Sequence, residues 1–207
     1  METLSIKDIK KDHVINTAIE LFLDNPIANI TVKDIAKASS LGEATIYRYF
    51  STKAELVSAC ALKLQAETED MFIERKEQFS SGYEALERFY YMFLETFKKN
   101  ARLYYFLSEF DAYCINNKIE NQTEYADNMD KFKEYYIEKY KTGLIDKSVK
   151  KSDNIEMFYY ATTHAILSLC KKLSANHSVL RQDKGIDKCA EIEMLIKTVL
   201  FSLKATV

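Results

Sequence analysis

The 207-residue sequence has no tryptophan, one proline and four glycines. Proline and glycine are the residues that most often interrupt helices, so their scarcity predicts long helices with few breaks. The alternation of apolar and polar residues that is typical of β-strands persists nowhere in the sequence. The sequence therefore predicts an all-α chain of about nine helices.

Long apolar runs and clustered cysteines are also missing. No apolar run approaches the roughly 18 residues of a membrane-spanning helix, and the polar start of the chain is not a signal peptide. The four cysteines form no Cys-x-x-Cys pair and have no histidine at metal-ligand spacing. We expect buried free thiols, no metal site and a cytoplasmic protein without a membrane partner.

Catalytic motifs are absent as well. The sequence contains no glycine-rich phosphate loop, no HExxH, no GxSxG and no paired histidine cluster. We therefore predict no enzymatic activity and no cofactor. An all-α enzyme would require a catalytic constellation that these residues do not supply.

One stretch, residues 30–56 (ITVKDIAKASSLGEATIYRYFSTKAEL), predicts two short helices joined by a tight turn, followed by the start of a third helix. Thr31 with Asp34 can cap the first helix, Gly42 can precede the second, and Thr52 with Glu55 can cap the third. Two short helices with a tight turn form a helix-turn-helix, whose second helix fits the major groove of DNA.

These residues resemble the N-terminal signature of TetR-type transcriptional regulators. The match includes Ile35, Ala36, Thr45, Ile46, Tyr47, Tyr49, Phe50, Lys53 and Leu56, and upstream residues 14–22 resemble the first helix of that family. Three positions depart from the family pattern. Ser39-Ser40 replaces the usual Ala-Gly, Gly42 replaces the usual serine, and Ala44 replaces the usual glycine.

The resemblance implies a DNA-binding domain over residues 1–52 and an effector-binding and dimerisation domain over residues 53–207. It also implies that hydroxyl and ammonium groups contact phosphates, while other side chains of helix 43–50 face base edges. The expected phosphate contacts are Thr45, Tyr47, Tyr49 and Lys53, with Thr31 as a further DNA contact. Glu43, Ala44 and Arg48 are expected to face the bases.

The charge of the N-terminal part does not match a typical DNA-binding domain. Residues 1–56 carry seven basic and eight acidic residues, and the whole chain has a net charge of −2. A DNA-binding protein is expected to present a basic surface. An electrostatic potential that attracts DNA phosphates must therefore come from basic residues gathered on one face, from helix N-termini and from hydroxyl groups.

The rest of the chain is rich in aromatic residues. Of the 26 tyrosines and phenylalanines, 22 lie after residue 56. Because a buried tyrosine hydroxyl needs a partner, we hypothesise that some of these hydroxyls face a cavity for a mostly apolar or aromatic effector. The candidate lining, on predicted helices 102–116 and 155–174, is Tyr104, Tyr105, Phe110, Tyr160 and His164.

Two apolar stripes on the last two predicted helices exceed what one small core needs. Pairing them across a two-fold axis would give a four-helix bundle. The sequence therefore predicts a homodimer whose interface contains Phe158, Thr162, Leu169, Ile192, Ile196, Val199 and Leu203.

The resemblance implies a regulator, usually a repressor, that binds a near-palindromic operator as a dimer and is released by a small effector. The acidic N-terminal part leaves one alternative open, a helical small-molecule-binding protein that has lost DNA binding.

Overall fold

A computed structural model describes residues 5–73, 78–119, 123–175 and 185–205. Within these ranges the chain is all-α, as predicted, and one isolated β-bridge joins Val149 to Lys204. None of the described helices is long and apolar enough to cross a membrane. The helices are α1 (Ile6–Asp24), α2 (Val32–Ala38), α3 (Glu43–Tyr49), α4 (Lys53–Phe72), α5 (Gly82–Asn116), α6 (Thr123–Ile145), α7 (Ile155–Ser174) and α8 (Lys188–Leu203), with a 3₁₀ turn at Ile27–Asn29.

Helix α5 is interrupted at Asn100, which has the non-helical angles φ −154° and ψ 78°. The sequence predicts two helices here, 83–98 and 102–116, separated at Lys99-Asn100. The observed interruption agrees with that prediction. Counting its two segments separately gives the predicted nine helices within the described ranges.

The chain divides into two units. The N-terminal unit consists of Met1–Ala66 and Phe106–Tyr125, and the C-terminal unit consists of Glu67–Tyr105 and Ala126–Val207. The predicted domain boundary at residue 52 therefore falls inside the N-terminal unit, which also contains α5 from Phe106 onward. Sequence patterns do not reveal this division, because the chain leaves the N-terminal unit within α4 and returns to it within α5.

In the C-terminal unit, the first turn of α5 lies directly against the end of α6. The Gly82 amide donates to Asp146 Oδ2 at 2.7 Å, and the Tyr83 amide donates to Ser148 Oγ at 3.0 Å. A β-carbon built on Gly82 would lie 2.1 Å from the backbone nitrogen of Gly143. Only glycine at position 82 permits this helix contact.

Aromatic side chains fill the core of the C-terminal unit. Tyr90 and Tyr136 are fully buried, and their hydroxyls are 3.0 Å apart. The Tyr90 hydroxyl also lies 2.7 Å from Thr162 Oγ1. These two tyrosine hydroxyls are therefore satisfied within the protein and give no support for a cavity. Edge-to-face contacts surround the pair, among them Phe89–Tyr90, Phe89–Tyr136 and Phe72–Phe89.

Candidate nucleic-acid interface

Helix α2 packs beside α3 and begins with the predicted cap. The Asp34 amide donates to Thr31 Oγ1 at 3.2 Å, and the Thr31 amide and hydroxyl both donate to the Asp34 carboxylate. The hydroxyl bond from Thr31 holds the pKa of Asp34 below its usual range. Thr31 is exposed, as a DNA contact requires, but its hydroxyl proton is already committed to Asp34.

The turn between α2 and α3 is a helix C-terminal motif with an unusual residue at its centre. Ser40 has φ +56°, in the left-handed region that favours glycine. The Leu41 amide donates to Ala36 O at 3.0 Å, and the Ser40 amide donates to Lys37 O at 3.4 Å. This bond pattern satisfies the last carbonyls of α2 and sets the direction in which α3 leaves the turn. At Ser40, where the family pattern has glycine, the serine therefore adopts the left-handed turn conformation that favours glycine.

We expect Ser40→Gly to stabilise the protein. Glycine removes the left-handed backbone strain at this position, which costs roughly 1–2 kcal/mol. This gain exceeds the conformational entropy that glycine loses on folding, about 0.5–1 kcal/mol. Urea unfolding should show a free energy of unfolding that is higher by about 0.5–1 kcal/mol. Ser39→Gly is the matched control and should destabilise. Ser39 has φ −81°, is buried and donates its hydroxyl to Ala36 O. A lower stability for Ser40→Gly than for wild type would contradict the strain at this turn.

Helix α1 holds the same turn through a histidine. His13 Nε2 lies 3.1 Å from the Ser39 carbonyl oxygen, so this nitrogen carries the proton and donates. The ammonium of Lys11 lies 5.4 Å from the centre of the Phe50 ring, at the end of α3. Sequence reasoning assigned no role to His13 or Lys11, since no local pattern reveals contacts between residues so far apart in the chain.

Helix α3 has one buried side and one open side. Ile46 and Phe50 are buried and anchor the helix, whereas Tyr47 is 49% exposed. Glu43, Ala44 and Arg48 are exposed, and Thr45 and Tyr49 are half-buried. The Arg48 guanidinium lies 5.5 Å from the centre of the Tyr49 ring, which favours an extended and partly ordered arginine. The predicted base-facing residues thus lie on the open side.

Lys53 does not point freely into solvent. Its ammonium donates to the Ile27 carbonyl at 2.5 Å and lies 5.3 Å from the centre of the Tyr113 ring. Burial lowers the pKa of Lys53, and the nearby Asp34 carboxylate opposes that shift. Lys53 therefore joins the start of α4 to the 3₁₀ turn and to the second segment of α5.

The predicted effector residues occupy different environments. Tyr104 is buried and donates its hydroxyl to Phe93 O at 2.9 Å. Phe110 is buried in the N-terminal unit, and Tyr105 is half-buried. Tyr160 and His164 are exposed neighbours on α7, with ring centres 5.7 Å apart. The Tyr160 hydroxyl accepts a bond from Lys133 at 3.3 Å.

The predicted dimer residues also divide into two groups. Phe158, Thr162 and Leu169 on α7 are half-buried. The four predicted residues of α8 are buried within the single chain and have little surface left for a partner: Ile192, Ile196, Val199 and Leu203. The apolar stripe of α8 is therefore part of the core of the C-terminal unit. The exposed face of α8 lies on the opposite side of the helix.

The helix-turn-helix matches a known family. Residues 14–60 match the model of bacterial regulatory proteins, tetR family. Over these residues the chain is similar to the tetR family. The matched segment includes all of α2 and α3 and the start of α4, and hence both the turn at Ser40 and the open side of α3. No curated protein matches the sequence.

Solved structures extend the tetR-family likeness to the whole fold. A TetR-family transcriptional regulator from Agrobacterium tumefaciens superposes with a TM-score of 0.72 at 13% identity, covering 96% of this chain and 100% of that one. The ketosteroid transcriptional regulator KstR2 of Mycobacterium tuberculosis gives 0.67 at 11% identity, covering 99% and 98%. The fatty acid degradation regulator FadR from Bacillus halodurans gives 0.65 at 16% identity, covering 96% and 97%. The chain therefore has the fold of tetR-family transcriptional regulators.

Proposed function

We propose that this protein is a cytoplasmic transcriptional repressor that binds a near-palindromic operator as a homodimer and is released by a small effector. The observation that carries the proposal is the open side of α3, where Ala44, Tyr47 and Arg48 stand above a buried anchor of Ile46 and Phe50. A gel shift with DNA from upstream of its own coding sequence tests it. We expect the protein to retard this DNA, and an excess of unlabelled random DNA should not displace it from the protein.

Two substitutions should separate base reading from phosphate contact. Arg48→Ala is expected to relax the preference at one position of each half-site, at a cost of about 1–3 kcal/mol for the preferred base. Lys53→Ala is expected to weaken binding to all sequences equally and to reduce the salt dependence by about one phosphate contact. Titrations of the operator and a scrambled duplex at several salt concentrations measure both effects. If Lys53→Ala leaves the salt dependence of DNA affinity unchanged, Lys53 does not contact DNA, and its remaining role is the bond to the Ile27 carbonyl.

The exposed faces of α7 and α8 support the homodimer. Between Glu156 and Lys172, which are exposed charges near its two ends, the exposed positions of α7 carry no carboxylate or ammonium; they are Met157, Tyr160, Ala161, His164, Ala165 and Ser168. On α8, Met194 and Phe201 are 66% and 81% exposed, and the exposed ammonium of Lys197 between them is paired with the Glu193 carboxylate at 2.8 Å. Neighbouring helix faces with so few charges mark interaction surfaces, and pairing them across a two-fold axis buries both. The proposed dimer thus keeps the two helices that the sequence predicts but uses their outer sides.

An apolar or aromatic effector fits the composition of the chain after residue 56. The names of two proteins with this fold refer to ketosteroids and to fatty acid degradation, both of which concern mostly apolar compounds. A ligand that favours a dimer with a different spacing of its two α3 helices would weaken operator binding by its differential affinity for the two states.

The acidic balance of residues 1–56 supports a second candidate, a small-molecule-binding protein that has lost DNA binding. The two candidates differ in one measurement. A protein that still binds effectors but selects no DNA sequence would be of the second kind.

A further inference from the structure

The C-terminal unit contains two of the four cysteines, and all four are free thiols. Cys170 is fully buried near the end of α7. Cys189 is half-buried in the first turn of α8, where its amide donates to the capping carboxylate of Asp187 at 2.8 Å. The other two cysteines, Cys60 and Cys114, belong to the N-terminal unit. Cys170 and Cys189 are therefore the thiol pair of the C-terminal unit.

A lysine bond sets the level at which α8 starts beside α7. The Lys188 ammonium donates to the Leu173 carbonyl oxygen at 2.7 Å, and the two helices pack against each other. The end of α7 thus lies beside the start of α8, so the helices run antiparallel. Because helix side chains lean toward the N-terminus of their own helix, the Lys188 backbone is level with a turn of α7 that precedes Leu173. Cys170 lies on that turn, and Cys189 adjoins Lys188.

Both cysteines occupy the inward side of their helices. Cys170 and Cys189 each lie one helical turn before a buried residue of their own helix, Leu173 and Ile192 respectively. Burial raises the pKa of the Cys170 thiol to about 12, the Tyr104 hydroxyl opposes this shift, and the nearby Cys189 thiol adds to it. At the usual spacing of packed helices, α-carbons at one level on facing sides come within about 6 Å of each other, which a disulfide bond can span.

We propose that Cys170 and Cys189 are an oxidation site, at which a hydroperoxide converts the two thiols into a reversible disulfide bond within one chain. Cys189 reacts first, because it is the more exposed of the two thiols. Its thiolate sulfur attacks one peroxide oxygen, an S–O bond forms as the O–O bond breaks, and the leaving oxygen takes up a proton. The product at Cys189 is a sulfenic acid.

The second step forms the cross-link. The Cys170 sulfur attacks the Cys189 sulfur, an S–S bond forms as the S–O bond breaks, and the hydroxyl group leaves as water with the Cys170 proton. Two thiols are oxidised, and hydrogen peroxide is reduced to water. Because the thiolate is the reactive form, the buried Cys170 is protected from direct attack by peroxide. The disulfide also protects Cys189 from irreversible oxidation to the sulfinic acid.

Treatment of the reduced full chain with hydrogen peroxide tests the site. Trypsin cleaves after lysine, so the oxidised protein should yield peptides 152–171 and 189–197 joined by a disulfide. We expect the mass of the intact chain to fall by two hydrogen atoms, dithiothreitol to restore it, and a non-reducing gel to show no covalent dimer. The absence of the joined pair, or a disulfide that links different cysteines or two chains, would overturn the proposal.

Three variants assign the two roles. In Cys170→Ala, oxidation of Cys189 should stop at the sulfenic acid, which dimedone labels. In Cys189→Ala, which changes only a half-buried position, Cys170 should stay a free thiol after the same treatment. Cys114→Ala is the matched control, because Cys114 is also half-buried but lies in the other unit, and it should keep the disulfide. An unlabelled Cys170→Ala, or oxidised Cys170 in Cys189→Ala, would contradict this order.

Thermal unfolding distinguishes a cross-link that fits the native fold from one formed in unfolded chains. A disulfide that closes a loop of about 20 residues restricts the unfolded chain, so the Tm of the oxidised protein should rise by about 5 °C or more. Peroxide-treated Cys189→Ala should keep the Tm of its reduced form. A Tm of the wild type that stays constant or falls on oxidation would show that the native fold does not bring the two sulfurs together.

Discussion

Glutamate in place of Ala161 is expected to turn the proposed homodimer into a folded monomer. Ala161 is exposed in the single chain, on the outer face of α7, so the substitution leaves the core intact. In the proposed dimer the new carboxylate would be buried without a partner, which costs about 3–5 kcal/mol. The dissociation constant of the dimer should therefore rise by roughly 10²–10⁴-fold, which sedimentation equilibrium measures.

Operator binding should be lost with the dimer, because two half-sites require two α3 helices at a fixed spacing. Ala112→Glu is the matched control. Ala112 is also an exposed alanine on a helix, but it lies on α5, outside the proposed interface. This control should sediment as a dimer and bind the operator. A wild type that is monomeric at micromolar concentration, or a dimeric Ala161→Glu, would contradict the proposed interface.

Glutamate in place of Ile196 is expected to give a different result from Ala161→Glu. Ile196 is fully buried within one chain, so a carboxylate there should unfold the C-terminal unit instead of dividing a dimer.

Gly82→Ala should be the most destabilising of the small substitutions discussed. The new β-carbon would lie 2.1 Å from Gly143 N and 2.6 Å from the Lys139 carbonyl oxygen, both of which are backbone atoms. Backbone cannot yield as the end of a flexible side chain can, so α5 and α6 would have to separate. We expect a loss of about 3 kcal/mol in the free energy of unfolding, measured by urea denaturation.

Gly42→Ala is the control for this substitution. Gly42 has φ −75°, and a β-carbon there would meet no atom within 4 Å. Alanine is a poorer helix cap than glycine, so a loss of less than about 1 kcal/mol is expected. Equal losses for the two variants would show that the contact between Gly82 and Gly143 does not limit the packing of α5 on α6.

Much of the local structure was predictable from the sequence. The predicted helix 155–174 has the same bounds as α7, and the predicted caps at Thr31 and Gly42 are the caps observed. The break at Lys99-Asn100 is also confirmed. Caps and breaks depend on a few neighbouring residues, so sequence patterns report them well. The sequence also predicts a helix from Thr52 to about Phe79, and its end is wrong, since α4 ends at Phe72 and Phe79 is not helical.

Contacts between distant parts of the chain were not predictable. An apolar stripe on a helix indicates that one face is buried, but not whether its own chain or a second copy buries it. The stripe of α8 containing Ile196 shows this ambiguity, because its own chain covers it. The bond from Lys53 to the Ile27 carbonyl likewise depends on three-dimensional positions that no spacing in the sequence encodes.

In the proposed function, the open side of α3 reads DNA from within a dimer. The most direct test is to let the purified full chain select fragments from a random pool of duplex DNA and to sequence those that it retains. We expect two inverted half-sites with centres about one helical turn apart, roughly 34 Å. Selected fragments with no common sequence, or with a single unrepeated half-site, would contradict it.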